Sequence, residues 1–194
     1  MNFRLTLVLV VTLAVILGVI FLRPKTTPPA APQPPIVYTI DEQTLNFIEV
    51  RAEGKRESFW KDRDGRWHIG SVTGIVVDPQ RWGGIPFLLS GPRSKRVITE
   101  SASAADLQAY GLNNPPLRVT MGFASGDQFE VQLGAKTPDQ GSHYAQNKGF
   151  TTVYLIDETW GGVVSRLATE VPIPPTPTAT LPPLEGPALP TQRP

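Results

Sequence analysis

Two hydrophobic patterns divide this chain. From Leu5 to Leu22 the residues LTLVLVVTLAVILGVIFL carry no charge and are closed by Arg4 and Arg23, whereas beyond Ile36 the apolar positions fall in short alternating runs. The first pattern predicts a membrane-spanning helix. Its eighteen positions reach about 27 Å, close to the roughly 30 Å hydrocarbon core of a bilayer. The second predicts strands, because side chains alternate faces along an extended backbone and a half-buried sheet repeats every two residues.

A cleaved signal peptide is the competing reading of the first run. Its apolar region would be shorter and would end at a small-x-small site; here the only small pair, Ala30-Ala31, is set among Pro28, Pro29 and Pro32. The run is therefore read as an anchor, residues 1–23. Arg4 and the terminal amine nearly balance Arg23 and Lys25, so charge does not orient it. A four-residue leader and a long C-terminal part favour the N-terminus inside and the bulk of the chain extracytoplasmic. Residues 24–35, rich in proline, form an extended spacer. Residues 36–170 form one domain of ordinary size. Residues 171–194 hold nine prolines with threonine and alanine and read as a disordered tail.

Within the domain, LNFIEVRA, ESFWKDR and RWHIG are strand-like, with a two-residue hairpin expected at Asp64-Gly65. Ile48 and Val50 should face the core while Glu49 and Arg51 face water. Asp78-Pro79 reads as a helix start with Trp82, Ile85, Leu88 and Leu89 on one face, but Gly83, Gly84 and Pro86 interrupt it, so the helix should be short or broken. RSKRVITE follows as a strand. A second helix is signed at both ends: Ser103 and Asp106 resemble a capping box, and Gly111 supplies the left-handed residue after Tyr110, with Leu112 folding back on Leu107 in a Schellman cap. Pro115-Pro116 turns the chain into a strand with Leu117, Val119, Met121 and Phe123 on one face. After Ser125-Gly126-Asp127 the alternation resumes at Phe129, Val131 and Leu133, so these two runs form a hairpin. Strands at His143–Gln146 and TTVYLI complete an antiparallel meander, and Asp157 caps a last helix bearing Trp160, Val164 and Leu167. The fold class is α+β.

The order of these signals resembles the bacterial domain-of-unknown-function family 4340. Gly65-Arg66-Trp67, Asp106-Leu107 through Tyr110-Gly111-Leu112 to Pro115, Leu133-Gly134, Tyr144 and Val153-Tyr154-Leu155 carry the resemblance, which spans Leu45 to Leu167. The most specific part is the Tyr110-Gly111-Leu112 cap followed by Pro115. Asn113 stands where an aspartate is more usual. The resemblance implies a membrane-anchored extracytoplasmic α+β protein, often accompanying ABC transporter components of the gliding-motility type, and it brings no catalytic residues.

Charge and chemistry narrow the picture further. Setting aside Arg4, Arg23, Lys25, Glu185 and Arg193 leaves 14 basic and 16 acidic residues, which does not suggest a nucleic-acid partner. There is no cysteine, so disulfides and thiolate chemistry are excluded. His68 and His143 lack metal-ligand spacing, and Ser142 beside His143 is no dyad because neighbouring strand side chains diverge. No cofactor or metal is expected, and no enzyme. Trp60, Trp67, Trp82 and Trp160 could stack on envelope sugars if two shared an exposed face, but a core role is the expectation. Arg93, Lys95 and Arg96 read as the charges that blunt a strand edge. The loop Lys136, Thr137, Pro138, Asp139, Gln140 and Gly141 is the candidate contact surface, and Pro187-Ala188-Leu189-Pro190 only superficially resembles a polyproline ligand. The expected function is a non-catalytic accessory or interaction module, beside an ABC transporter as the resemblance implies, with a glycan-binding module as the alternative.

Overall fold

The computed structural model describes residues 33–175. The expected anchor, most of the spacer and the tail beyond Pro175 lie outside the described residues. Among the described residues no helix is long and apolar enough to cross a membrane.

The elements are β1 (Leu45–Ala52), β2 (Lys55–Lys61), β3 (Trp67–Ile69), α1 (Pro79–Trp82), α2 (Ile85–Leu89), β4 (Ser94–Thr99), α3 (Ala104–Ala109), β5 (Leu117–Phe123), β6 (Gln128–Lys136), β7 (Ser142–Asn147), β8 (Val153–Asp157) and α4 (Glu158–Thr169). All eight strands form one antiparallel sheet in the order β3-β2-β1-β5-β6-β7-β8-β4. One face packs on α4, α1 and α2 around Ile48, Val50, Phe59, Val119, Met121, Val131, Leu133, Trp82, Leu89, Trp160 and Val164. An aromatic group joins the helices to the sheet: Trp82 lies 4.6 Å from Phe59 and 5.3 Å from Trp67, centroid to centroid. The Trp160 indole donates to the Leu88 carbonyl at 3.0 Å and so ties α4 to α2.

Several local expectations are met. Asp78 caps α1, and the first helix is split by Gly83 and Gly84, the latter left-handed at φ 83°. Asp157 caps α4. The β5–β6 hairpin pairs Leu117 with Leu133 and Val119 with Val131, as the alternation required.

The hairpin at Asp64-Gly65 is corrected. The β2–β3 pairing closes at Lys61 and Trp67, so the connection has five residues rather than two. Asp62 is the reason: its carboxylate accepts from the backbone N–H groups of Asp64 and Arg66, both at 2.9 Å, and organises a wider loop. The tight turn of this region is instead Glu53-Gly54. Ala52 pairs with Lys55, and positive φ at both central residues, 53° and 75°, matches a type I′ turn. Glu49 is corrected too: it is 5% exposed, because Arg51 and Arg56 fold over its carboxylate instead of leaving it in water.

The packed chain runs slightly past the expected boundaries. Pro35 accepts a hydrogen bond from Ser94 N–H at 2.8 Å, and Pro172 accepts one from Asp78 N–H at 2.8 Å. The last residue of the spacer and the first residues of the tail thus contribute to the domain.

Candidate functional site

On the face of the sheet away from α4, α3 docks at one end. There α3 is closed by the motif Asp106, Leu107, Tyr110, Gly111, Leu112. The Ser103 N–H donates to the Asp106 carboxylate and the Asp106 N–H returns to the Ser103 hydroxyl; the Ser103 N–H, and then the Ser103 hydroxyl, by donating to the carboxylate hold it below its usual range. At the other end Leu112 N–H reaches the Leu107 carbonyl at 2.8 Å and Gly111 N–H reaches Gln108 at 3.1 Å, with Gly111 at φ 69°. These two bonds make a Schellman cap. The cap docks where β6 bulges between Leu133 and Lys136: the Tyr110 carbonyl accepts from Ala135 N–H at 2.8 Å, the Tyr110 ring stacks on Tyr144 at 4.4 Å, and Leu112 is buried. The motif is therefore structural in its contacts, and its last residue, Pro115, is buried and lines a groove.

That groove, about 510 Å³, lies between the β1–β2 turn and the segment Asn114-Pro115-Pro116, and is lined by Arg51, Lys55, Arg56 and Arg118. Strand register explains how four cations meet. Arg51 stands opposite Arg56 on one side and opposite Arg118 on the other. Directly opposed residues lie about 4.5–5.5 Å apart at Cα, and like charges so placed repel. The row continues through Gln132 and Gln146 without an acid. Beneath it Glu49 receives Arg51 Nε at 2.7 Å and Arg56 Nε at 2.8 Å. Arg118 Nη2 donates to the Asn114 side chain at 3.3 Å. Arg56 Nη2 also donates to the Glu49 carboxylate; the remaining guanidinium nitrogens of these arginines, and the Lys55 ammonium, meet no protein acceptor among the described residues. Four cations and no acid line the groove; Glu49 pairs with two of the arginines and Glu130 acts on Arg118 from farther along the sheet, so the chemistry this arrangement favours is anion recognition.

The other candidates fall apart from this groove. In the loop Lys136, Thr137, Pro138, Asp139, Gln140, Gly141, Thr137 is buried and its hydroxyl bonds Asp139 and Ser142; the Thr137 hydroxyl is the main reason the Asp139 carboxyl sits below its usual range. Lys136 pairs with Glu158 at 3.0 Å and Lys95 reaches both Gly141 and Asp157. The loop is held by bonds within it and to Lys95 and Glu158, and presents Pro138, Asp139 and Gln140 to solvent. Trp67, Trp82 and Trp160 are buried; Trp60 is 37% exposed and leans on Phe47. His68 bridges Asp62 and the Gly74 carbonyl. His143 is half-buried, its nearest polar partner the Gly134 carbonyl at 3.4 Å, and burial pushes its pKa down. Among the described residues no three histidine, cysteine or acidic side chains gather as metal ligands do.

Sequence reasoning missed Arg51, Lys55, Arg56, Arg118 and Asn114 because alternation alone marks each as a solvent-facing strand or turn residue. A signal existed in Arg51-Ala52-Glu53-Gly54-Lys55-Arg56: a two-residue turn at Glu53-Gly54 sets Arg51 opposite Arg56 by counting alone.

No curated protein and no solved structure matches the chain. A family model described as Domain of unknown function (DUF4340) matches residues 67–165, a stretch that takes in α3, its cap and Arg118 but begins after Arg51, Lys55 and Arg56. The match takes in just over half of the chain, and the chain belongs to the DUF4340 family.

Proposed function

We propose that this chain is a single-pass membrane protein whose extracytoplasmic α+β domain serves as a non-catalytic accessory module, binding its partner through the arginine groove. The observation that carries the reading is the row Arg56, Arg51 and Arg118, three like charges in direct cross-strand register. Such a row opposes folding, and conflicts of this kind between local stability and sequence concentrate where a surface is used. The anchor rests on the Leu5–Leu22 run. A transporter subunit as partner rests on the family resemblance and on nothing in the groove itself.

The glycan-binding alternative asks for two exposed tryptophans on one face. With Trp67, Trp82 and Trp160 in the core and Trp60 alone at the surface, it has less support.

Crosslinking in intact membranes, followed by identification of what co-purifies, tests the proposal. The unmodified chain should recover a transporter subunit, and Arg51→Glu with Arg118→Glu should lose it while the protein stays folded and membrane-bound. Recovery of no transporter subunit from the unmodified chain would remove the accessory role, and equal recovery from the double variant would remove the groove from it. Protease added to sealed cells should trim the domain while a cytosolic marker survives; protection of both would reverse the topology.

A further inference from the structure

We propose that the arginine groove binds a phosphate-type oxyanion carrying at least two negative charges, gripped by Arg51, Arg118 and Lys55, with Glu49 holding Arg51 and Arg56 in position. The inference rests on the groove being the module's working surface and names the chemistry it takes.

Three features of the groove argue for this ligand. The first is charge: Arg51, Lys55, Arg56 and Arg118 line one groove that has no acid in its lining, with Glu49 paired to two of them and Glu130 acting on Arg118, so a monoanion leaves much of the repulsion in place. The second is geometry. A planar carboxylate is satisfied by a single guanidinium fork, whereas a tetrahedral oxyanion has enough acceptors to take N–H groups from several directions at once. Three guanidiniums rooted on three neighbouring strands, β2, β1 and β5, approach from such different directions. The third is preorganisation. Glu49 has a side chain 7% exposed, beneath arginines that are 51% and 64% exposed. It takes Nε of Arg51 and both Nε and Nη2 of Arg56, which fixes the planes of the two guanidiniums and leaves Nη1 and Nη2 of Arg51 and Nη1 of Arg56 without a protein acceptor among the described residues. Ordering long side chains before a ligand arrives removes part of the entropy cost of binding it.

The test is calorimetric titration of the purified full-length chain with inorganic pyrophosphate and, in parallel, with glycerol 1-phosphate and citrate. Saturable one-to-one binding of pyrophosphate or glycerol 1-phosphate is expected; tighter binding of the first points to a free phosphate compound, of the second to a headgroup-type phosphomonoester. Arg118→Gln should weaken the complex by about tenfold, the loss of one charge-assisted contact, and Arg51→Gln with Arg118→Gln should abolish it. Glu49→Gln separates positioning from plain electrostatics: it raises the net positive charge of the groove, so a simple charge funnel would bind more tightly, while loss of positioning weakens binding. Unfolding curves identify any variant that fails to fold, and Arg118→Gln, changed at a partly exposed position, keeps the test decisive if Glu49→Gln does. Absence of saturable binding, equal affinity for citrate, or an unchanged affinity in the double glutamine variant would overturn the proposal; tighter binding by Glu49→Gln would overturn the part assigned to Glu49. If pyrophosphate binding fails while Arg51→Glu with Arg118→Glu still abolishes crosslinking, the groove binds protein and the accessory reading survives without this one.

Discussion

The Tyr110 carbonyl oxygen sits so close to Gly134 that a Cβ built there would lie 2.2 Å from it. Both atoms belong to backbone, in the cap of α3 and in the bulge of β6, so neither can swing aside as a flexible side chain would. The Gly111 carbonyl carbon and the Leu112 side chain would each come within 3.1 Å of the same Cβ. Gly134→Ala is therefore expected to push the cap off the sheet and to cost about 3 kcal/mol, the upper end of what overpacking costs. Urea denaturation should show a lower midpoint with an unchanged slope. A midpoint equal to that of the unmodified protein would mean that the cap does not dock on Gly134.

That contact also marks how far local sequence logic reaches. The capping box at Ser103 and Asp106 and the Schellman cap at Gly111 were legible because every bond in them lies within six residues. The β5–β6 hairpin was legible because Leu117 to Leu133 alternates around a short turn. The groove was not, because Arg51 and Arg118 meet only through the β1–β5 pairing of two segments far apart in sequence, and alternation fixes which face a side chain takes without saying which strand lies beside it. Glu49 was misjudged for a related reason: a carboxylate on the outer face was assigned to water, whereas two arginines on the same face supply its partners and cover it. At Asp64-Gly65 the turn residues were present, but the side chain of Asp62 captured the backbone and lengthened the loop.

The Asp62–His68 pair makes the β2–β3 edge sensitive to pH. His68 Nε2 lies 2.9 Å from the Asp62 carboxylate and Nδ1 lies 3.0 Å from the Gly74 carbonyl. With an acceptor at each nitrogen, the doubly protonated ring fits best. The Gly74 carbonyl, and then Asp62, raise the His68 pKa above its ordinary 6.5. His68 and other contacts lower Asp62 from 3.8 to about 2. For His68 the added stability is complete below 6.5 and is lost as pH rises through the raised value. For Asp62 it is present above 3.8 and is lost as pH falls toward 2. The edge should thus be firmest between about pH 4 and 6.5. Thermal midpoints measured across pH should fall at both ends for the unmodified chain, and His68→Gln should flatten the upper limb. An upper limb identical in the two proteins would show that His68 does not carry it.

Trp160 links the last helix to the broken one. Its indole N–H donates to the Leu88 carbonyl, and the ring is buried against the central strands. Trp160→Phe keeps an aromatic ring but leaves that carbonyl without its donor, at a cost of about 1–2 kcal/mol. Amide hydrogen exchange should accelerate in α2 more than in β5 and β6, because α2 has only short helical turns of its own. Uniform acceleration throughout the sheet would instead indicate a global loss of packing.

Glu49 is the carboxylate that pairs with Arg51 and Arg56 of the arginine row, and its removal tests how much repulsion the row stores. Two opposing effects meet in Glu49→Gln. The amide keeps the volume and one acceptor oxygen, so packing changes little, but Arg51 loses its counter-charge while still facing Arg56 and Arg118. The arginines are half or more exposed, so water screens them and the loss should be modest, about 1 kcal/mol near 0.1 M salt. If repulsion is the source, the deficit must shrink as salt rises to 1 M, where the screening length falls from about 10 Å to about 3 Å. If Glu49 serves instead as a buried hydrogen-bond acceptor, salt leaves the deficit unchanged. Urea denaturation of both proteins at the two salt concentrations decides between them, and the register of Arg51 between two other arginines predicts the salt-dependent outcome.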